Sequence, residues 1–336
     1  VSSFQPGAPG APVSAMPSGR VEDGSSTRER PGPPLARTTL DRSAHRRRDA
    51  EWLAAAWERA RVLVLDTRSG GRTLITDDNR LLLFTPENAP DVPPESRLFL
   101  GEEPDGGPVF AVDAPLPSVA GARPASLRDV GHQLDDRDAG LMTTALALAN
   151  WHAASGFSPV SGGATSAQEA GWSRIDAGGK QVWPRTDPAM IVLVHDGVPG
   201  PDGRCLLGNN AAWTGAPDIR RFSCLAGYVE PGESAEAAVI REVAEEVGLP
   251  IAGISYVASQ PWPFPGSLML GFNAIADPSL PVTVDPEEIV EARWFTRREI
   301  GTIVGGGEVL THDGLRVGLP MGASIAHYLI ATWLAE

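Results

Sequence analysis

The stretch from Gly227 to Leu249, GYVEPGESAEAAVIREVAEEVGL, constrains the fold of this chain more than any other. A Pro-Gly turn at 231–232 leads to Ser234, a residue type suited to a helix N-cap, and Gly248 supplies a stop, so the spacing predicts a helix over Ser234–Val247. At about 100° per residue, Glu242, Glu245 and Glu246 fall within about 100° of one another, while Val239, Ile240, Val243 and Val247 share a neighbouring arc. One arc anchors the helix in a core and the other displays three carboxylates. Like charges at these spacings repel by about 0.2–0.5 kcal/mol per pair unless a cation neutralises them. Hard oxygen donors on one face suit Mg²⁺ or Mn²⁺, ions that bridge carboxylates to phosphates, which makes phosphoryl chemistry the leading reading. On its own the triplet fits a solvated acidic helix surface better, because acidic helix faces are common.

The rest of the chain narrows the class. Its 336 residues favour two or three modest domains, and its net charge of −14 provides no overall positive field for gripping a nucleic-acid backbone. No apolar run approaches the roughly 18–20 residues that cross a bilayer, and the opening residues do not read as a secretory signal, so a cytoplasmic protein without membrane association is expected. Cys205 and Cys224 are too few for a disulfide framework or a four-thiolate zinc site. Residues 1–37, rich in Gly, Pro and Ser with no apolar period, read as a disordered tail. The basic triplet Arg46–Arg48 reads as a solvated face. A helical stretch over 49–61 and strand-like runs at 62–66, 80–85, 96–101 and 108–113 suggest a small α/β domain over 38–137. Residues 138–154 read as a connecting helix. Strands are expected at 190–194, 204–208, 254–259, 268–275 and 292–295, with a final helix over 322–335.

A second motif follows the carboxylate helix. Ser259-Gln260-Pro261-Trp262-Pro263-Phe264-Pro265-Gly266-Ser267 is stiffened by alternating prolines, and an extended path would place Trp262 and Phe264 on one side as a wall for a flat base. By itself it fits a stiff interface loop as well.

Gly227, Glu233 and Arg241-Glu242-Val243-Ala244-Glu245-Glu246-Val247-Gly248-Leu249 together match the Nudix box, G-x5-E-x7-R-E-U-x-E-E-x-G-U with U aliphatic, at every specified position. With SQPWPFPGS downstream, the chain resembles the NADH pyrophosphatases of the NudC type over most of residues 126–336. The resemblance implies a Nudix α/β/α sandwich with a mixed sheet over 187–336, preceded by a small amino-terminal α/β domain. It implies hydrolysis of the pyrophosphate of NADH or NAD⁺ to NMN(H) and AMP, and removal of NAD caps from RNA 5′ ends. It implies that Glu242, Glu245 and Glu246, the carbonyl of Ala226 and Glu288 hold Mg²⁺ or Mn²⁺. Arg241 would orient the carboxylates, and Glu233 would support the site. Arg128, Trp183, Tyr228, the segment Gln260, Pro261, Trp262, Pro263, Phe264, Pro265, Gly266 and Ser267, and the backbone of Ala326 would contact substrate. A homodimer is implied, with Trp183 contributed across it.

The chain departs from the family at the small zinc ribbon within 138–186. The four thiolate positions read Ser158, Ser161, Ile175 and Gly178, so no zinc is expected, and packing or a partner subunit would hold this region. A Nudix domain acting as a ligand sensor without turnover is the alternative from another class.

Overall fold

The computed structural model describes residues 32–213 and 216–336. Most of the tail expected over 1–37 lies outside the described residues. Its last part is folded: Pro34–Ala36 forms one 3-10 turn with Leu35 buried, and the Leu35 N–H donates to Gln260 Oε1 at 3.2 Å. An apolar side chain with a core to enter outweighs the local Pro-rich composition.

The first domain is a mixed sheet of β1 (Arg61–Asp66), β2 (Arg72–Thr76), β3 (Leu83–Phe84), β4 (Leu98–Glu102), β5 (Pro108–Asp113) and β6 (Ala122–Ser126). Its order is β4-β5-β1-β2-β6, with β3 also on β1 and only β1–β5 parallel. Alternation along β1 sends Val62 and Val64 toward α1 (Ala50–Trp57), and Leu63 and Leu65 to the opposite face. That second face is covered by α2 (Leu127–Val130) and α3 (Asp136–Ala154). Leu141, Met142, Ala145, Leu146 and Leu148 of α3 are buried there, so the helix expected as a connector belongs to the core of this domain.

Residues 155–186 make a three-stranded antiparallel sheet of β7 (Thr165–Gln168), β8 (Ser173–Asp176) and β9 (Gln181–Val182). The four substituted ribbon positions surround Asp176. Its carboxylate accepts from the Ser161 hydroxyl at 2.6 Å and from the N–H groups of Gly178 and Lys180 at 3.0 and 2.9 Å. Ser158 Oγ accepts from the N–H groups of Val160 and Ser161, both at 3.3 Å. The Ser161 hydrogen bond first, then the backbone donors, hold the Asp176 carboxyl below the usual carboxylate range. A hydrogen-bonded knot within one chain thus ties this hairpin, beside its packing on the first domain through Trp172. Asp176→Ala, which leaves these donors unpaired, should lower the melting temperature by about 5 °C or more in calorimetry. An unchanged transition would show the knot to be dispensable.

The second domain is built on β10 (Asp187–His195), β11 (Arg204–Asn210), β12 (Ile219–Arg221), β13 (Leu225–Tyr228), β14 (Ala252–Trp262), β15 (Ser267–Ile275), β16 (Ile289–Thr296) and β17 (Arg316–Gly318). The main sheet runs β14-β15-β10-β11-β16 with β13 also on β10, and β10–β15 is its parallel pair. Met190, Val192 and Val194 pack toward α4 (Ala235–Val247), while Ile191 and Leu193 face α6 (Ile325–Leu334). This is the expected α/β/α sandwich. Between them, α5 (Arg297–Val304) starts at a reciprocal capping box of Thr296 and Glu299. Among the described residues, no helix is long and apolar enough to cross a membrane.

Candidate active site

Helix rotation decides which carboxylates are enclosed. Val239, Val243 and Val247 of α4 are fully buried against the sheet. Ile240, placed at the far end of the anchoring arc, is instead 52% exposed, because that end of the arc has turned past the sheet. Glu242 and Glu246 project beside Val239 and are drawn into the protein, at 9% and 3% exposure; the side chain of Glu245, on the other flank, is 56% exposed.

Arg241 organises this face. It makes a bidentate pair with Glu233, Nε to Oε1 and Nη2 to Oε2, each 2.9 Å. Its Nη1 donates to Glu242 Oε1 at 2.8 Å and Glu245 Oε2 at 2.9 Å, and Nη2 donates to the Tyr228 carbonyl at 3.0 Å. The Arg241 hydrogen bonds hold the Glu233 carboxyl low, and Glu233 in turn is the largest cause of a raised Arg241 pKa.

Glu246 is the opposite case. Its Oε2 is buried without a hydrogen-bond partner. Burial pushes its pKa up to about 8, with the charges of Glu242, Glu288 and Glu245 adding to the effect and the Ala226 backbone hydrogen bond opposing it. Burial likewise raises Glu242. Such an orphan oxygen is costly in an apolar setting and fits a cationic partner. β13 presses closely on the same carboxylates: a Cβ at Gly227 would lie 1.9–2.3 Å from the carboxyl atoms of Glu242. Among the described residues no three His, Cys, Asp or Glu side chains are already gathered tightly enough to hold a metal ion. Arg241 draws Glu242 and Glu245 to itself, while the buried, hard-oxygen character of the Glu242–Glu246 pair suits Mg²⁺ or Mn²⁺.

A cleft of about 770 Å³ shares Ala226 with this site and is lined by Arg128, Trp262, Trp213, Arg221, His132 and Met321 among others. The Arg128 guanidinium lies 4.0 Å from the Phe264 ring centre and 5.2 Å from that of Trp262, and the two rings meet edge-on at 4.9 Å. The proline motif is therefore a hairpin, not an extended wall. β14 continues through Pro261 and Trp262, the chain turns at 263–266 with a cis Phe264–Pro265 bond, and Trp262 pairs with Ser267.

The expected substrate residues divide accordingly. Arg128 and Trp262 line the cleft, whereas Phe264 faces a separate hollow beside Asn150 and backs Trp262. Gln260 is fully buried and spent as a strut, accepting from Leu35 and donating to the Ala323 carbonyl at 3.0 Å. The Pro263 carbonyl accepts from Asn150, and the Gly266 carbonyl from the Asp187 N–H. Ser267 Oγ and the Tyr228 hydroxyl are 3.4 Å apart outside the cleft lining. Ala326 is buried, and its neighbours Ser324 and Ile325 reach the cleft in its place. Trp183 is 55% exposed and does not line the cleft of its own chain. Trp213, Arg221 and His132 were not legible as site residues, because separate loops bring them to the cleft and no local motif marks them.

The enclosed carboxylate pair, its arginine organiser and the sandwich around them define a Nudix hydrolase. A family model described as the NUDIX domain matches residues 186–311, and one described as the NADH pyrophosphatase-like rudimentary NUDIX domain matches residues 52–151. The chain is 41% identical over 308 residues, 90% of its length and 95% of the relative's, to a NAD-capped RNA hydrolase NudC of Mycobacterium bovis. It is 38% identical over 213 residues, 60% of its length and 43% of the relative's, to the human NAD-capped RNA hydrolase NUDT12. Among solved structures, a NUDIX hydrolase from Nitrosomonas europaea is similar over 37% of this chain and 82% of that one, with 24% identity and a TM-score of 0.29. The chain belongs to the NudC family of Nudix hydrolases.

Proposed function

We propose that the protein hydrolyses the pyrophosphate of NADH or NAD⁺ to NMN(H) and AMP, with Mg²⁺ or Mn²⁺, and cleaves the same bond at NAD-capped RNA 5′ ends. The observation that carries this reading is the buried carboxylate of Glu246, one oxygen of which has no partner, beside a cleft walled by Trp262 and Arg128. Water adds to one phosphorus, the bridging P–O bond breaks, and the departing phosphate leaves with the bridging oxygen. Glu242, Glu246 and the exposed Glu245 and Glu288 would hold the cations, with the Ala226 carbonyl beside them. Such cations, when bound, would offset charge on the diphosphate and lower the pKa of the attacking water. One carboxylate of the set accepts the water's proton, Arg241 keeps Glu242 and Glu245 aimed, and Trp262 offers a face to a base. A 5′ RNA end needs only to enter the cleft, so the acidic balance of the chain is no barrier. The sensor reading lacks support, since every box carboxylate is present. A homodimer accords with the exposed Phe157, Val160 and Trp183 of the 155–186 region; a cytoplasmic location belongs to the same proposal.

Among the described residues Arg221 forms no ion pair and stands in the cleft wall. Arg221→Ala should raise KM for NADH about tenfold with kcat little changed, the pattern of lost uniform binding. Chelation with EDTA should abolish turnover, and Mn²⁺ or Mg²⁺ should restore it. Turnover that survives exhaustive chelation would refute the metal-dependent reading.

A further inference from the structure

The basic triplet is a solvated face only at Arg48, whose side chain is 73% exposed. Arg46 and Arg47 are half-buried, and Arg47 lies flat on Trp172, 3.6 Å from the ring centre, with Arg42 at 5.3 Å. Arg97 stacks on Trp57 at 4.0 Å. The Nε atoms of Arg47 and Arg97 are buried without a hydrogen-bond partner. Among the described residues no carboxylate lies within ion-pair distance of Arg42, Arg47 or Arg97, in a chain whose net charge is −14. Arg47 gives one long hydrogen bond, to the Arg42 carbonyl at 3.4 Å. Burial, and then the neighbouring charge of Arg42, lower the pKa of Arg47, with the charge of Glu169 opposing them.

Arg47, Arg48 and Arg97 edge a cleft of about 580 Å³ whose floor is apolar, with Leu53, Trp57 and Phe110. It lies on the α1 face of the first sheet, whereas Trp262 and Phe264 pack with the core on the opposite face. Two acids line it: Glu95, and Glu169, which is held by Arg48 at 2.6 Å and Gln181 at 3.0 Å. Glu169 and Ala170 both carry positive φ, 50° and 51°, a strained pair of non-glycine residues in the cleft wall. Strain of this kind persists where surrounding structure enforces a particular surface. An apolar slot of this size with convergent cations and aromatic faces has the make-up of a small-molecule site for a flat, anionic ligand.

We propose that this cleft is a second, non-hydrolytic site that binds a nucleoside phosphate, its base in the apolar slot and its phosphates on Arg47 and Arg97. The domain is Nudix-like in fold but carries none of the box carboxylates within residues 52–151, so the ligand is held and not cleaved.

The test is calorimetric titration of the full chain in EDTA with ADP, beside NADH turnover measured with Mn²⁺. Arg47→Met with Arg97→Met keeps the apolar stems on their tryptophans and removes the charge. Ala54→Trp, at an exposed α1 position, fills the slot and leaves the arginines intact. Each change should weaken one class of ADP binding at least tenfold and leave kcat/KM for NADH within twofold of wild type. Inorganic phosphate should displace ADP from this class only at tenfold or greater excess. ADP binding unchanged in both variants would overturn the proposal. So would phosphate competing as well as ADP, or a 5′-phosphorylated single-stranded oligoribonucleotide occupying the cleft more tightly than ADP.

Discussion

Replacing Glu246 by Gln should lower kcat for NADH by about 10³-fold or more while making the metal-free protein more stable at alkaline pH. Both effects come from one carboxylate. Its oxygen is buried without a partner and its pKa is pushed up to about 8 from an ordinary 4.5. The folded state therefore binds this proton more tightly than the unfolded state. Below about pH 4.5 the group supports folding in full, and the support is withdrawn as pH rises toward about 8, a swing on the order of 4 kcal/mol. The amide cannot ionise, so the stability of Glu246→Gln relative to wild type should climb between pH 5 and 8 in EDTA and level off above. Mn²⁺ should reverse the ranking at pH 8 by stabilising the wild type alone. Melting curves at pH 5 and 8.5, with EDTA and with Mn²⁺, check this. A variant less stable than wild type in EDTA at pH 8.5 would show that Glu246 carries no buried-charge penalty.

Gly227→Ala should cost activity about 10²-fold with little loss of stability. The added methyl would sit 1.9–2.3 Å from the Glu242 carboxyl, so something has to move, and the end of a flexible side chain moves most cheaply. The fold survives because no backbone or core atom is the obstacle. The chemistry suffers because Glu242 leaves the place in which Arg241 and β13 hold it, and misplacement by about 1 Å is worth about that factor in rate. A circular dichroism melt within about 3 °C of wild type beside the fallen kcat is the expected pair of results; full activity would mean that the position of Glu242 is not critical.

The two halves of the site differed in how plainly the sequence declared them. The carboxylate helix is local: its cap, stop and charge spacing lie within one stretch, and the N-cap Ser234 and αL Gly248 form as read. Burial within that helix was harder, since Glu242 and Glu246 are distinguished from Glu245 by tens of degrees of rotation, which the sheet sets. The proline motif was misread in shape because Pro261 tolerates a strand position while the return strand β15, which makes it a hairpin, is a tertiary fact. β6 carries Pro124 and only small or charged residues around it and is held by pairing with β2, so its composition hides it. α5, in contrast, is marked in the sequence itself by a Thr296-x-x-Glu299 signature, which forms as a capping box. Asp176 carries no sequence signal as the hub of the ribbon region, because the three hydrogen bonds to its carboxylate come from the turns around it and not from a motif.

The most direct test of the central claim is product identification after incubating the protein with NADH and Mn²⁺, with Glu246→Gln alongside. Equimolar NMNH and AMP from the wild type, and neither from the variant, is the predicted result. Release of nicotinamide with an intact ADP-ribose, or the same products at the same rate from the variant, would contradict it.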